Sequence, residues 1–132
     1  MIVLDASVVI AHLAVADRHS QRAFEILDTD DDLVIHRITL AETLVRPALD
    51  GDEVKSRVRI GAIGIEQAVP PYDEPLAIAR LRAKTGLRLP DCCVLATALR
   101  EGALLATFDA RLAKTSAELG VEVIGTAGSD DS

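Results

Sequence analysis

Four carboxylates stand where the chain passes from a strand or a loop into a helix. They are Asp5 in IVLDAS, Glu42 in TLAETL, Asp91 in LPDCCV and Asp109 in ATFDARL. Acids at such points can converge on one pocket, and four carboxylates in one pocket bind a hard divalent cation. Such a cation makes phosphodiester hydrolysis possible, because it activates water and offsets charge on the phosphate. Taken singly, each acid has a structural explanation. Asp5 could cap the helix that Ser7 begins. Thr39-Leu40-Ala41-Glu42 matches a capping box. Asp91 suits the first turn of its helix through the macrodipole. Asp109 is a natural N-cap for a helix over 110–119. Together they argue otherwise. Carboxylates about 6 Å apart repel by roughly 3 kcal/mol per pair at an effective dielectric near 20. A purely structural site would not keep that cluster without a cation.

The elements that must position these acids are readable from apolar runs and breakers. IVLD (2–5) reads as a buried strand, followed by a helix over about 7–15 with Val9, Ile10, Leu13 and Ala14 on its buried side. A second helix covers about 18–27 and carries Ala23, Phe24 and Leu27. After a TDDD loop, LVIH (33–36) is a strand. A helix over about 39–49 follows, which Pro47 should end or kink. Asp50-Gly51 signals a turn. Val54, Val58, Ala62 and Ile65 fall at helical spacing, weakened by Gly61 and Gly64. EQAV (66–69) reads as a short strand. One helix covers about 74–85 and stops at Gly86. Another starts at Pro90 and ends near Gly102. ALLAT (103–107) is a strand, 110–119 a helix closed by Gly120, and VEVI (121–124) a last strand. Strands alternate with helices and are continuously apolar. That pattern predicts an α/β domain with a central parallel sheet and helices on both faces. Sites in such sheets lie outside the carboxyl ends of the strands, where Asp5 and Asp109 both fall.

Bulk properties agree. The chain has 132 residues, 49% of them hydrophobic, enough for one domain with a real core. Aromatics are only 2%, which argues against a base-stacking single-strand binder, since that needs exposed rings as platforms. Met1 leads straight into the first strand with no leader signature, and no apolar run could span a bilayer, so a cytoplasmic protein without membrane contact is expected. Cys92 and Cys93 are adjacent and helical, unsuited to a mutual bridge or a four-ligand zinc site. The net charge of −7 opposes nucleic-acid binding at first sight. Six of the 21 acids are Asp28, Asp30, Asp31, Asp32, Asp130 and Asp131, and without them 15 acids face 14 basic residues. Without the four candidate site acids as well, 11 face 14, so the scaffold is mildly basic.

At this point the motifs resemble the PIN-domain ribonucleases, and among them the VapC toxins of bacterial toxin–antitoxin pairs. The resemblance covers residues 1–124 as one PIN-like catalytic domain, with 125–132 left as a flexible acidic tail. It rests on the strand ending Asp5-Ala6-Ser7, on Leu40-Ala41-Glu42, on Leu89-Pro90-Asp91 followed by Val94-Leu95-Ala96, and on Thr107-Phe108-Asp109 with Leu112. It implies Mg²⁺ or Mn²⁺ held by Asp5, Glu42, Asp91 and Asp109, and endonucleolytic cleavage of RNA by metal-activated water. Ser7 and Thr107 become hydroxyl helpers. A cognate VapB-type antitoxin and a homodimer are implied as partners. Asn is common beside the fourth acid in the family, and Phe108 stands there instead.

Other features weigh less. His12, His19 and His36 share no metal spacing, and core or surface placement is their default. The DTDDD run (28–32) lacks the turn glycine and the closing glutamate of a calcium loop. Arg80, Arg82, Lys84 and Arg88 form an acid-free stretch that could bind RNA phosphates, as could Lys55, Arg57 and Arg59; an ordinary basic helix face is the competing explanation. Two functional alternatives remain: an inactive PIN fold serving as a binding module, and another acid-site phosphotransfer domain. An aspartyl-nucleophile phosphatase would want Asp where Ser7 stands. A receiver would want adjacent early acids and a late lysine.

Overall fold

The computed structural model describes residues 1–14 and 16–126. Val15 and the tail residues 127–132 lie outside the described residues. Five strands form one sheet: β1 (Ile2–Leu4), β2 (Leu33–Ile35), β3 (Ile65–Gln67), β4 (Leu104–Thr107) and β5 (Val123–Gly125). Every pairing is parallel and the order is β3-β2-β1-β4-β5. β1 is therefore central, with Ile2 opposite both Leu33 and Leu104. Successive strand residues face opposite sides of a sheet. Ile2 and Leu4 accordingly join one core cluster while Val3 joins the other.

Helices α1 (Ala6–Leu13), α2 (Ser20–Leu27), α3 (Arg37–Leu49) and α4 (Glu53–Ala62) supply the first cluster, through Val8, Val9, Ala23, Ile26, Leu40 and Ile60. Helices α6 (Leu89–Glu101) and α7 (Ala110–Glu118) supply the second through Val94, Leu95 and Leu112, with α5 (Glu74–Thr85) laid over them by Ile78 and Leu81. Both faces are covered, as continuously apolar strands require.

Several local expectations are corrected. α1 stops at Leu13, and its buried residues are Ala6, Val8, Val9 and Ala11, leaving Ile10 and Ala14 exposed. α2 begins at Ser20 rather than 18 and buries Ile26 while exposing Phe24. α3 begins at Arg37 and runs two residues past Pro47. Pro47 lacks the N–H that would reach back four residues, yet its carbonyl still accepts from Asp50 and Asp52 in the closing turn. The spacing of Val54, Val58, Ala62 and Ile65 misleads. α4 buries Ser56 and Ile60, Val54 and Val58 face solvent, and Ile65 begins β3. The last strand is Val123–Gly125 rather than 121–124.

Candidate active site at the carboxyl edge of the sheet

Asp5 follows β1 directly, and its N–H continues the ladder to the Ala106 carbonyl of β4 at 2.9 Å. It occupies the N-cap position of α1 but its side chain makes no cap. The carboxylate, 7% exposed, turns instead toward β4. Its Oδ2 accepts from Ser7 Oγ at 2.7 Å and from Thr107 Oγ1 at 2.7 Å. Two hydroxyl donors on one oxygen fix the carboxylate plane and leave Oδ1 without a hydrogen bond among the described residues. Ser7 Oγ also accepts from Phe108 N at 3.0 Å, and Thr107 Oγ1 accepts from Asp109 N at 2.9 Å. The loop bearing the fourth acid is thus tied to the first acid through both helper hydroxyls.

Asp109 does cap α7, accepting from Leu112 N at 3.0 Å through Oδ1. Capping and site membership are compatible, because only one oxygen caps. The capping box at Thr39 is absent. His36 caps α3 through Nδ1, which accepts from Ile38 N at 3.1 Å, and the buried Thr39 hydroxyl makes no hydrogen bond. Glu42 is therefore in the second turn of α3, half-buried and free of any capping duty. Asp91 lies in the first turn of α6, buried, with Arg88 Nε 3.6 Å from its Oδ2.

Two of the four acids, Glu42 and Asp91, are shifted by the charges of the others. Burial, then the charges of Asp5 and Asp91, push Glu42 above its ordinary range, while Arg88 pulls it down. Burial likewise raises Asp91; Arg88 opposes, and Asp5 and Asp109 add to the rise. Like charges in a shared pocket act this way. Among the described residues, however, no three His, Cys, Asp or Glu side chains are gathered as a ligand set for a metal ion. The donor chemistry fits a hard cation, since every member is a carboxylate. The carboxylates share a field without closing on one point.

The remaining candidates divide. Arg88 reaches the acid site. Arg82 Nη1 donates to the Gly86 and Leu87 carbonyls at 2.6 and 3.0 Å, beside Arg88. Arg111 of α7 joins them, donating to the Gly86 carbonyl at 3.2 Å. Its place in the sequence, 25 residues away, gave no signal of this. Arg80 points elsewhere, lining a cavity with Glu74 and Arg100. A buried relay was also missed: His36 Nε2 lies 2.8 Å from Glu74 Oε1, and Arg100 Nη1 donates to Glu74 Oε2 at 2.9 Å. Because His36 Nδ1 accepts from Ile38, Nε2 carries the proton donated to Glu74. Cys92 and Cys93 are buried, and burial holds the Cys93 thiol up to about 11, so both are packing residues. Among the described residues, no helix is long and apolar enough to cross a membrane.

Solved structures share this architecture. A toxin–antitoxin complex from Klebsiella pneumoniae is 24% identical with a TM-score of 0.68, covering 83% of this chain and 87% of that one. VapC20 of Mycobacterium tuberculosis, described as a sarcin–ricin loop cleaving toxin, is 14% identical with a TM-score of 0.70, covering 87% and 95%. FitAcB from Neisseria gonorrhoeae is 22% identical with a TM-score of 0.69, covering 95% and 97%. At these identities the likeness is one of fold. No curated protein matches the chain. The family model of the PIN domain matches residues 2–118. That match spans most of the sequence and includes all four edge acids, and the chain belongs to the PIN domain family.

Proposed function

We propose that this chain is a metal-dependent endoribonuclease, the toxin of a VapBC-type toxin–antitoxin pair. The observation that carries the reading is the Asp5 carboxylate, fixed on Oδ2 by Ser7 and Thr107 and in electrostatic contact with Glu42 and Asp91. Carboxylates whose pKa is raised by burial and by neighbouring acids, as for Glu42 and Asp91, are costly, and such costs concentrate at functional sites. The structural neighbours support the toxin reading, since two are described as a toxin–antitoxin complex and a sarcin–ricin loop cleaving toxin.

Asp5, Glu42, Asp91 and Asp109 would hold Mg²⁺ or Mn²⁺, which when bound supplies activation of water and neutralisation of phosphate charge. Ser7 and Thr107 orient Asp5 and leave Oδ1 as its open oxygen. Leu112 N orients Asp109 in the same way and leaves Oδ2 open. Arg88, Arg82, Arg111 and the exposed Lys84 lie along the α5–α6 turn and α7 and serve the RNA backbone, where guanidinium groups match phosphate geometry.

A cleft of about 230 Å³ between α1, α3 and α4 opens beside Glu42 and is lined by Ile10, Leu13, Arg46, Pro47 and Arg59. It is the place for an antitoxin segment, with an apolar wall for its side chains. Val45 and Leu49 on α3 and Val54 and Val58 on α4 are exposed apolar side chains, suited to a homodimer contact.

The test is cleavage of structured RNA with Mg²⁺, with Mn²⁺ and with EDTA, followed by end-group determination. Expected products carry a 5′-phosphate and a 3′-hydroxyl, and Asp5→Asn lowers the rate at least about a hundredfold. A 2′,3′-cyclic phosphate product, or full cleavage in EDTA, overturns the reading. Co-expression with a VapB-type antitoxin, sought in the neighbouring reading frame, tests the partner. The expected result is a complex that purifies together and has lost ribonuclease activity.

A further inference from the structure

The chain has two Phe and one Tyr. One of those few aromatic side chains, Phe108, stands between Thr107 and Asp109 at the rim of the acid site, partly exposed. Its ring is stacked on the imidazole of His19, with ring centroids 4.5 Å apart and planes 14° from parallel. His19 comes from the turn between α1 and α2, on the other side of the rim. We propose that the His19–Phe108 stack, with Arg18 beside it, is a subsite that receives one nucleobase of the RNA next to the bond being cut. This rests on the ribonuclease reading above.

Three observations argue for a platform rather than a structural pin. The first is anchoring. Phe108 N donates to Ser7 Oγ, whose hydroxyl donates to Asp5, so the ring is tied by two hydrogen bonds to the central carboxylate. Phe108 also packs against the core beneath it, which makes the imidazole the outer ring. The second is preorganisation. His19 N donates to Asp17 Oδ1 at 2.7 Å, which fixes the turn before anything binds. The third is charge. Arg18 Nε donates to His19 Nε2 at 3.2 Å, which puts a guanidinium at the edge of the stack. A flat ring with a cation at its edge matches a nucleotide, which presents a flat base and an anionic phosphate. A pin that only closed the turn would be buried, and neither ring is.

The scarcity of aromatics opposes a surface that stacks many bases in succession, and it is compatible with a single stacked base that sets position. One base on one ring changes binding by roughly tenfold or more. The subsite therefore adds affinity for the base beside the cut, with a modest preference for the larger stacking area of a purine, and the acids act on the cut itself.

The experiment uses a hairpin RNA pool with a randomised loop, cleaved by the native chain, His19→Ala and His19→Phe in Mn²⁺, with product ends sequenced. The native chain is expected to prefer one base, or one base class, at a position flanking the cut. His19→Ala should flatten that preference and raise KM about tenfold while cutting continues, and His19→Phe, which keeps a stacking ring, should retain the preference and the native KM. Unchanged preference in His19→Ala overturns the subsite, as does equal flattening by Ala and Phe. Cleavage by the native chain with no flanking preference removes the subsite and leaves the ribonuclease reading standing. No cleavage by the native chain in Mg²⁺ or Mn²⁺ removes both.

Discussion

Thr107 and Asp5 are 102 residues apart, and the Thr107 hydroxyl donates to the Asp5 carboxylate at 2.7 Å. The same oxygen accepts from Asp109 N, so one buried atom joins the first and fourth acids. Thr107→Val keeps the shape and removes both bonds. It should lower cleavage or Mn²⁺ affinity about 10–100-fold, the range for groups that orient metal ligands. It should also cost about 1–3 kcal/mol of stability, because a buried N–H loses its acceptor. Thr107→Ser should recover most of both. Rates and thermal melts on the three proteins decide it; undiminished cleavage by Thr107→Val counts against the Asp5 arrangement.

Cation binding should be visible without any substrate. Mn²⁺ at about a hundredfold over its dissociation constant adds roughly 2.7 kcal/mol to the folded state if it binds only there. The expected result is a rise in Tm for the native chain and a much smaller one for Asp91→Asn. Equal shifts in both proteins would mean that the acids do not act as one site.

Two buried acids should respond to pH with opposite sign. Burial pushes Glu74 up, but the hydrogen bonds from His36 and Arg100, with the charge of Arg100, outweigh it and hold the group below its ordinary 4.5. Its stabilising contribution is full above that value and fades as pH falls through the lowered pKa. Glu74→Gln should therefore cost on the order of 3 kcal/mol at neutral pH, with the gap closing in acid. Asp91 is raised above its ordinary 3.8. Its charge opposes folding at neutral pH, and that opposition fades as pH falls through the raised pKa. Asp91→Asn in EDTA should melt above the native chain at pH 7.5 and match it in acid. Melts from pH 7.5 to 3.5 test both; the same sign for both variants would contradict the charge arrangement.

Gly125 in β5 has φ +105°, and a Cβ there would run into the Thr107 carbonyl. Gly125→Ala should cost about 1–3 kcal/mol from backbone strain alone. It should also lower cleavage, because displacing Thr107 displaces its hydroxyl from Asp5. Melting and rate measurements on this variant should fall together, and a rate loss without a Tm loss would place the effect elsewhere.

The sheet was legible because buried parallel strands are apolar throughout, so IVL, LVI and LLAT stand out against their surroundings. Asp5 and Asp109 stood out because each follows such a strand, and Asp91 because it opens a helix, whereas Glu42, expected at the start of a helix, lies in the second turn of α3. Helix faces were harder. Val54 and Val58 are spaced like a core stripe, but α4 turns Ser56 and Ile60 inward, and sequence spacing does not say which side of a helix meets the sheet. The start of α3 was misplaced because Thr39 and Glu42 imitate a cap, while an imidazole nitrogen of His36 accepts the N–H. The partners of long polar side chains were not legible at all. His36, Glu74 and Arg100 come from three elements, and only the packed fold brings them within hydrogen-bonding distance.

The place of β4 in the sheet has a consequence for synthesis. β1 is made first but lies between β2 and β4, and β4 emerges only after more than a hundred residues. Until then Asp5 lacks the Thr107 hydroxyl, and Asp109 has not been delivered. Closing so long a loop is also slow compared with local helix formation. A nascent chain with β4 still inside the ribosome holds three acids and no finished site. The acid site is therefore among the last parts of this fold to be completed, when β4 leaves the ribosome and pairs with β1.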